Sequence, residues 1–251
     1  MPEQIIVRIQ RQDRPDSPPY QQNFTVPYQR DMNVISVLQE IAANPVMVDG
    51  QTTTPVVWDC NCLEEVCGAC SMRINGRVRQ ACSALVDELL EADSVIDLRP
   101  MKKFPVIRDL FVNRTRMFDA LKKIKAWIPV DTYDDLGPGP MIAPEEQESA
   151  YPLSRCMTCG CCLEACPQVN EHSDFIGPQV FPQAVLFNVH PVGRMTASDR
   201  LRALMEPGGI TECGNAQNCV KVCPKEVPIT WAIGKVGRDT TIEAIKKWFL
   251  K

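Results

Sequence analysis

Apolar and polar residues alternate over much of the first hundred positions, which is the period-two pattern of strands with one buried face. This alternation predicts strands at Ile5–Ile9, Asn23–Val26 and Val95–Leu98. Turn-forming residues separate the three segments. The first part of the chain is therefore predicted to contain a small sheet.

A β-hairpin and one helix are predicted in the same region. Asn75-Gly76 is the pair that best tolerates the positive φ angles of a two-residue type I′ turn, and it joins two further strands, Ser71–Ile74 and Arg77–Gln80. A helix interrupts the strands, and Asn33 is its candidate N-cap. Its apolar face carries Val34, Leu38 and Ile41.

The apolar spacing becomes helical from Asp109, and strand signals nearly vanish through the rest of the chain. One predicted helix carries Leu110, Met117, Leu121 and Ile124. A later one is predicted to begin at the N-cap Ser198, to carry Leu201, Leu204 and Met205, and to end before Gly208-Gly209. By composition, the segment 137–140 is a surface loop.

The change of period predicts two domains, one at 1–105 and one at 106–251, in a chain of 251 residues. Hydrophobic residues make up 45% and charged residues 23%, so general disorder is not expected. The net charge of −4 argues against a nucleic-acid binder.

Neither a membrane span nor a secretory signal is predicted. The longest stretch without charged residues, Phe175–Gly193, contains Pro178, Pro182 and Pro191, which would break a spanning helix. The beginning of the chain, Met1–Gln4, has no basic region. The protein is therefore expected to stay in the cytoplasm.

Thirteen cysteines are the outlying feature of the composition. In the reducing cytosol such a number favours metal binding over a disulfide framework. Eleven of the thirteen fall into two spacing patterns, and both are typical of ferredoxins.

The first pattern lies in the strand-rich part, where Cys62, Cys67 and Cys70 have the spacing Cys-x4-Cys-x2-Cys and Cys82 follows the predicted hairpin. This is the plant-type arrangement for a 2Fe–2S cluster, in which four thiolates complete two tetrahedral irons. Gly68 would let the loop backbone come close to the cluster. A four-thiolate zinc site is the alternative.

The second pattern occurs twice, and each copy ends in Cys-Pro. The first copy has Cys156, Cys159, Cys162 and Cys166 in the bacterial-ferredoxin spacing, which predicts that its last cysteine binds the cluster of the other copy. The second copy has the same spacing, with cysteines at 213, 219 and 223 and Ala216 where its second cysteine belongs.

Crossing of the last cysteines predicts two different clusters. A complete 4Fe–4S cluster would be bound by Cys156, Cys159, Cys162 and Cys223, and a 3Fe–4S cluster by Cys166, Cys213 and Cys219. The alternative for the second is a 4Fe–4S cluster whose fourth iron is held by water or another side chain.

The remaining cysteines and the histidines receive no ligand role. Cys60 and Cys161 are each interpreted as small buried side chains, with an alternative ligand or a redox thiol as the other readings. His172 and His190 have no partner at metal-ligand spacing. No nucleophile–base pair, paired-carboxylate motif or phosphate loop stands out, so no substrate chemistry is predicted for the chain itself.

Taken together, the motifs resemble the iron–sulfur subunit of respiratory complex II, the family of succinate dehydrogenase and fumarate reductase. The resemblance spans nearly the whole chain and rests on Cys62–Cys70, Cys156–Pro167, Phe175–Pro178 and Asn218–Lys225. It implies an α+β fold, with a plant-type ferredoxin-like β-grasp domain followed by an α-helical bacterial-ferredoxin-like domain.

The resemblance also implies partners. In this family a flavoprotein oxidises succinate at covalently bound FAD, and electrons leave through the 2Fe–2S, 4Fe–4S and 3Fe–4S clusters to a membrane quinone. The chain would then lie peripherally on the cytoplasmic face of the cell membrane, against a membrane-anchor subunit. The alternative is that the same clusters carry electrons in the opposite direction, as in a quinol:fumarate reductase. A free-standing soluble ferredoxin and a subunit of another flavin enzyme are the further alternatives.

Two departures from ubiquinone-reducing relatives bear on the quinone. Those relatives have a histidine where this chain has Gly214, and a tryptophan where it has Gln168-Val169-Asn170. The sequence is more similar to the branch that uses menaquinone and has a single anchor chain carrying two haems. Among the family's residues on the quinone side, the resemblance assigns only Pro167 of this sequence.

Overall fold

The structure is a computed structural model that describes residues 3–128 and 141–249. Strands occupy mainly the first half, at β1 Gln4–Arg11, β2 Tyr20–Pro27, β3 Ser71–Ile74, β4 Arg77–Gln80, β5 Val95–Arg99, β6 Val106–Arg108 and β7 Phe111–Val112. Two helices lie among them, at α1 Val34–Ala43 and α2 Val86–Ala92. The predicted loop at 137–140 falls outside the described residues.

Helices make up the second half of the described chain. They are α3 Thr115–Lys123, α4 Pro144–Ser154, α5 Cys161–Ala165, α6 Val180–Val189, α7 Ala197–Met205, α8 Asn218–Lys221 and α9 Ile229–Phe249. Short 3-10 turns lie at Gly193–Thr196 and Ile210–Glu212. In residues 3–128 and 141–249, no helix is both long enough and apolar enough to cross a membrane.

The chain divides into two compact units. The first contains residues 1–114 together with Cys159–Glu164, and the second contains 115–158 and 165–251. The predicted domain boundary at residue 105 rests on composition and stays a prediction.

The first unit is built on a mixed sheet with strand order β2-β1-β5-β3-β4, in which β1 and β5 run parallel and the other neighbours antiparallel. Ile5, Val7 and Ile9 of β1 alternate with exposed residues and are buried in the same core as Leu38 and Ile41 of α1. Each such side chain contributes about 1.5–3 kcal/mol when fully buried. The strands predicted from alternation are confirmed.

Two local predictions in the first unit are also confirmed. Asn33 caps α1, because its side chain accepts a hydrogen bond from the N–H of Ser36 at 3.0 Å. Asn75 and Gly76 have φ angles of +47° and +79°, the left-handed pair that a type I′ turn requires. The turn brings β4 back alongside β3.

Two sequence predictions near residue 110 are wrong. Leu110 belongs to no helix: it lies between β6 and β7, it is buried in the core of the first unit, and its N–H donates to Val57 O. Strands also continue past Asp109, because β7 pairs with β6. The helical spacing in fact begins at Thr115, where Met117 and Ala120 form the buried face of α3.

The predicted cap of α7 is wrong by two residues. The helix starts at Ala197, so Ser198 lies in its first turn. The Ser198 hydroxyl donates to Glu243 Oε2 of α9 at 3.3 Å and forms no cap hydrogen bond. The end of the helix agrees with the prediction, since α7 stops at Met205 and Gly208 follows with φ +85°.

A buried ion pair fixes the end of β1 in the first unit. Arg11 Nε donates to Asp109 Oδ1 at 2.8 Å, and both side chains are 0% exposed. The same carboxylate accepts the backbone N–H groups of Gln12 at 3.1 Å and Val57 at 2.9 Å. These three hydrogen bonds depend on Asp109, while Gln22 Oε1, Thr54 and Pro55 O accept the other N–H groups of Arg11.

Asp109→Ala should therefore lower the free energy of unfolding by about 3–5 kcal/mol, because the buried charge of Arg11 loses its partner. Asp119→Ala is the matched control, since it breaks an exposed pair with Lys122 that is worth about 1 kcal/mol or less. Urea unfolding of both variants, followed by circular dichroism, measures the difference. Equal midpoints would show that the buried pair contributes no more than a surface one.

Candidate iron–sulfur centres

The loop that precedes β3 is shaped around the sulfur of Cys62. Leu63, Glu65 and Gly68 have positive φ angles, which turn successive peptide groups inward. The backbone N–H groups of Glu64, Val66 and Cys67 donate to Cys62 Sγ at 3.3–3.4 Å, and that of Ala69 donates to Cys67 Sγ at 3.4 Å. The loop therefore presents amide donors to its cysteine sulfurs.

These donors stabilise a thiolate. The hydrogen bonds from the backbone of Glu64 and Val66 are the main cause that lowers the pKa of Cys62 to about 7. Iron binds the thiolate form of cysteine, so the loop fits an iron–sulfur ligand set. Glycine at 68, with φ +72°, completes the turn without strain.

The other two cysteines of the plant-type set lie in the interior of the first unit. Cys70 and Cys82 are both buried, and the Cys70 thiol donates to Gln80 Oε1 at 3.5 Å. Burial raises the pKa of Cys70 to about 12, so a cation would be needed to hold it as a thiolate. Among the described residues, no group of three or more His, Cys, Asp or Glu side chains is arranged for a single metal ion.

Two side chains outside the motif hold the loop in place. Arg114 Nη1 donates to Gly68 O, and Arg114 Nη2 pairs with Asp59 at 3.4 Å. Ser83 donates to Glu65 Oε1, which ties the loop to the residue after Cys82. Sequence reasoning missed Arg114, because nothing in its sequence neighbourhood marks it as a partner of a loop some forty-six residues earlier.

The predicted 4Fe–4S ligands are divided between the two units. Cys159 and Cys162 belong to the first, and Cys156 and Cys223 to the second. The segment 159–164 is fixed to the first unit by the Glu164 carboxylate, which accepts the N–H groups of Lys102 and Lys103 at 2.9 Å each. The assignment of these four cysteines to one cluster stays a prediction.

In the second unit, the three cysteines predicted for the 3Fe–4S cluster lie together. One cavity is lined by Cys166, Cys213 and Cys219, together with Ala216 and Pro167. Cys166 comes from the first copy of the motif and the other two from the second, so the last cysteine of the first copy does reach the second copy. Cys223 does not line this cavity.

The surroundings of this cavity are mostly apolar. Burial is the first cause that raises the pKa of Cys219 to about 11, and the neighbouring Cys166 raises it further. The three thiols lie close together and two of them, those of Cys166 and Cys219, are buried, which favours a positively charged occupant and fits an iron cluster. Asn218 Nδ2 donates to Ala165 O at 3.2 Å and connects the two copies of the motif.

The unassigned cysteines and histidines differ in their environment. Cys161 is 0% exposed, in agreement with its interpretation as a small buried side chain, but Cys60 is exposed, so the same interpretation is wrong for Cys60. His190 Nδ1 accepts the N–H groups of Val192 and Gly193, a structural role at the end of α6 that the sequence did not reveal. His172 is exposed.

Comparison with known proteins identifies a 2Fe–2S domain followed by a 4Fe–4S domain, in the order that the cysteine motifs predict. Residues 6–119 match a family model described as a 2Fe-2S iron-sulfur cluster binding domain, and residues 155–228 match a 4Fe-4S dicluster domain. The chain is 57% identical over 251 residues to the succinate dehydrogenase iron-sulfur subunit of Bacillus subtilis strain 168, covering 99% of this chain and 98% of that protein. The chain belongs to the family of succinate dehydrogenase and fumarate reductase iron–sulfur subunits.

More distant members show the same extent of similarity. The fumarate reductase iron-sulfur subunit of Wolinella succinogenes is 29% identical over 225 residues, which cover 88% of this chain and 90% of that protein. A chain of the solved structure "Mycobacterium smegmatis Sdh1 complex in the apo form" is 25% identical, with a TM-score of 0.75 and 96% of each chain covered.

Membership in the succinate dehydrogenase and fumarate reductase family confirms several predictions. The α+β fold, with a 2Fe–2S sheet domain before a helical 4Fe–4S domain, is confirmed. Iron–sulfur binding is confirmed against the zinc alternative. The function as an electron-transfer subunit of an oxidoreductase is confirmed against the free-standing ferredoxin. The ligand of each iron, residue by residue, stays a prediction.

Proposed function

We propose that this chain passes electrons one at a time from the FAD of a partner flavoprotein to a membrane quinone, as part of a succinate:quinone oxidoreductase. Succinate oxidation releases two electrons and two protons, and the chain carries only the electrons. The proposed direction of electron transfer, from succinate to quinone, is based on the relative that is 57% identical, which is a succinate dehydrogenase subunit. The second candidate function is fumarate reduction with electrons that pass through the same clusters, because the Wolinella relative is a fumarate reductase subunit.

The proposal assigns eleven cysteines to three clusters, with 2Fe–2S carried by residues 1–105 and the other two by residues 106–251. The 2Fe–2S ligands are Cys62, Cys67, Cys70 and Cys82; the 4Fe–4S ligands are Cys156, Cys159, Cys162 and Cys223; and the 3Fe–4S ligands are Cys166, Cys213 and Cys219.

One observation carries the assignment of a three-iron cluster. Cys166, Cys213 and Cys219 line one cavity, and the position of a fourth ligand in the motif is taken by Ala216, which lines the same cavity. A methyl group cannot bind iron. Three cysteines, with no fourth among the residues that line this cavity, suit a 3Fe–4S cluster better than a 4Fe–4S cluster.

The proposed partners beyond the flavoprotein are a haem-bearing membrane-anchor subunit and menaquinone, with the chain on the cytoplasmic face of the cell membrane. The two positions that depart from ubiquinone-reducing relatives, Gly214 and Gln168, lie next to each other. A Cβ atom at 214 would lie 2.4 Å from Gln168 Nε2, so the glycine and the glutamine fit each other. Both residues also line an open polar pocket beside Cys213.

Steady-state turnover of the assembled complex with succinate tests this proposal. We expect faster reduction of menaquinone analogues than of ubiquinone analogues, because the chain has neither the histidine nor the tryptophan of ubiquinone-reducing relatives. Reduction of a dye at the flavin site is the control, since it does not depend on the quinone. Equal or faster turnover with ubiquinone analogues would show that this subunit does not select the quinone.

A further inference from the structure

Residues 244–249, which form the α9 tip, are all exposed. The rest of α9 is held in the second unit by buried positions that recur every three or four residues, namely Ile229, Ala232, Val236, Thr240 and Glu243. Most helical stability in proteins comes from packing of one face, and the packed face of α9 ends at Glu243. The tip is therefore free to contact another surface.

Large apolar side chains project from the α9 tip. Ile245 is 51% exposed, Trp248 75% and Phe249 73%. The rings of Trp248 and Phe249 touch edge to face, with their centroids 4.8 Å apart. Ile242, which is 38% exposed, lies three residues before Ile245 and therefore on the same side of the helix. Single exposed apolar residues are common, but a contiguous group of four large ones marks an interaction surface.

The charge of the α9 tip is positive. Lys246 and Lys247 are both exposed and lie in the last turn of the helix. The two acidic residues that precede them on α9 are already paired, Asp239 with a lysine of the same helix at 3.7 Å and Glu243 with an arginine of α7 at 3.1 Å. The sequence from 244 to 251 contains three lysines and no acidic residue, although the whole chain has a net charge of −4. An anionic partner is therefore favoured at this place.

Large apolar side chains beside lysines are typical of helices that lie in a membrane interface. Aromatic rings sit there at the level of the headgroups, and lysines attract anionic phosphates. The helix dipole explains two lysines in a last turn, but it does not explain the aromatic residues beside them. Helix α3 also ends in a lysine pair and has an exposed Phe118, but Lys122 pairs with Asp119 and Lys123 with Glu206. The positive charge of α3 is therefore neutralised within the chain.

We propose that the α9 tip inserts into the headgroup region of an anionic phospholipid bilayer, with its two aromatic rings at the acyl-chain boundary and its two lysines against lipid phosphates. This rests on the proposed function, which brings the second unit to a membrane quinone. The same helix borders the three-cysteine cavity, because Ile233 lines it. Trp248 lies fifteen positions after Ile233, or about 22 Å along the helix axis. Lipid contact at the tip would keep this cavity close to the membrane surface.

Flotation of the full chain, loaded with its clusters, on phospholipid vesicles tests the proposal. We expect binding to vesicles of phosphatidylcholine that contain about one third phosphatidylglycerol, and weaker binding to pure phosphatidylcholine or at high salt. Lys246→Gln combined with Lys247→Gln should weaken binding to the anionic vesicles about thirtyfold. Trp248→Ser combined with Phe249→Ser should weaken binding to both kinds of vesicle at least about tenfold.

The matched controls change the same residue types elsewhere in the second unit. Lys122→Gln combined with Lys123→Gln, and Phe118→Ser combined with Trp127→Ser, should bind vesicles as the unaltered chain does, because they remove a paired lysine pair and two other exposed aromatic residues. Cluster absorption spectra show that each variant is folded. Equal binding by the tip variants and the unaltered chain, or binding only to the membrane-anchor subunit and not to vesicles, would overturn the lipid contact. Quinone turnover of the assembled complex is measured separately, since its absence would overturn the proposed function and not the vesicle result.

Discussion

Ala216→Cys should convert the three-iron cluster into a 4Fe–4S cluster. Ala216 lines the same cavity as Cys166, Cys213 and Cys219, and it occupies the position at which the repeated motif has its second cysteine. The backbone around it is already turned, with positive φ at Asn215 and Gln217. A thiolate at 216 would supply the missing ligand for a fourth iron.

The expected readout is spectroscopic. The electron paramagnetic resonance signal of the oxidised three-iron cluster should disappear, and a signal of a reduced four-iron cluster should replace it. The change in cluster type and net charge should lower the potential and alter quinone reduction, while dye reduction at the flavin site stays intact.

The control for this conversion is Val220→Cys. Val220 lies on α8, close in sequence to Ala216, but it does not line the cavity. A cysteine there should leave the three-iron signal unchanged. Persistence of that signal in a folded Ala216→Cys variant would show that the alanine is not the reason for the missing iron.

Cys223→Ser should damage the 4Fe–4S cluster and spare the 3Fe–4S cluster. Cys223 is the last cysteine of the second copy of the motif, yet it does not line the cavity that holds Cys213 and Cys219. Cys166, from the first copy, does line it. Reciprocal crossing would carry Cys223 to the cluster of the first copy, although Cys156 is far away in sequence.

Cys213→Ser is the matched variant, because it changes a cysteine of the same copy that does line the cavity. In this variant the signal of the 3Fe–4S cluster should be lost or weakened more than that of the 4Fe–4S cluster. Electron paramagnetic resonance of both oxidised and reduced complexes separates the two results. If Cys223→Ser removed only the three-iron signal, the last cysteines would not cross in this protein.

Local chemistry explains which parts of the fold could be predicted. The cap at Asn33 and the turn at Asn75-Gly76 are determined by hydrogen bonds and φ angles within a few residues, so the sequence is sufficient. The cysteine spacings are equally informative, because iron requires thiolates at restricted positions. No comparable signal marks α2, which sequence reasoning missed.

The failures have tertiary causes. Leu110 fits a helical period, but its N–H bonds to Val57 and its side chain is buried in the sheet core. Ser198 is a good capping residue, but its hydroxyl finds Glu243 at a distance of forty-five residues in sequence. The contact of Gln80 with Cys161 spans eighty-one residues, and only the folded first unit reveals it.

The segment 159–164 has a consequence for how the protein can be assembled and divided. It belongs to the first unit, although the residues on both sides of it belong to the second. No single cut of the chain therefore separates the two units. A fragment ending at Arg114 would leave Gln80 Nε2, Ser71 Oγ and the N–H groups of Lys102 and Lys103 without their partners from this segment. On the ribosome, the first unit must wait for some fifty more residues before its last part is made, so its folding is completed only while the second unit is being synthesised.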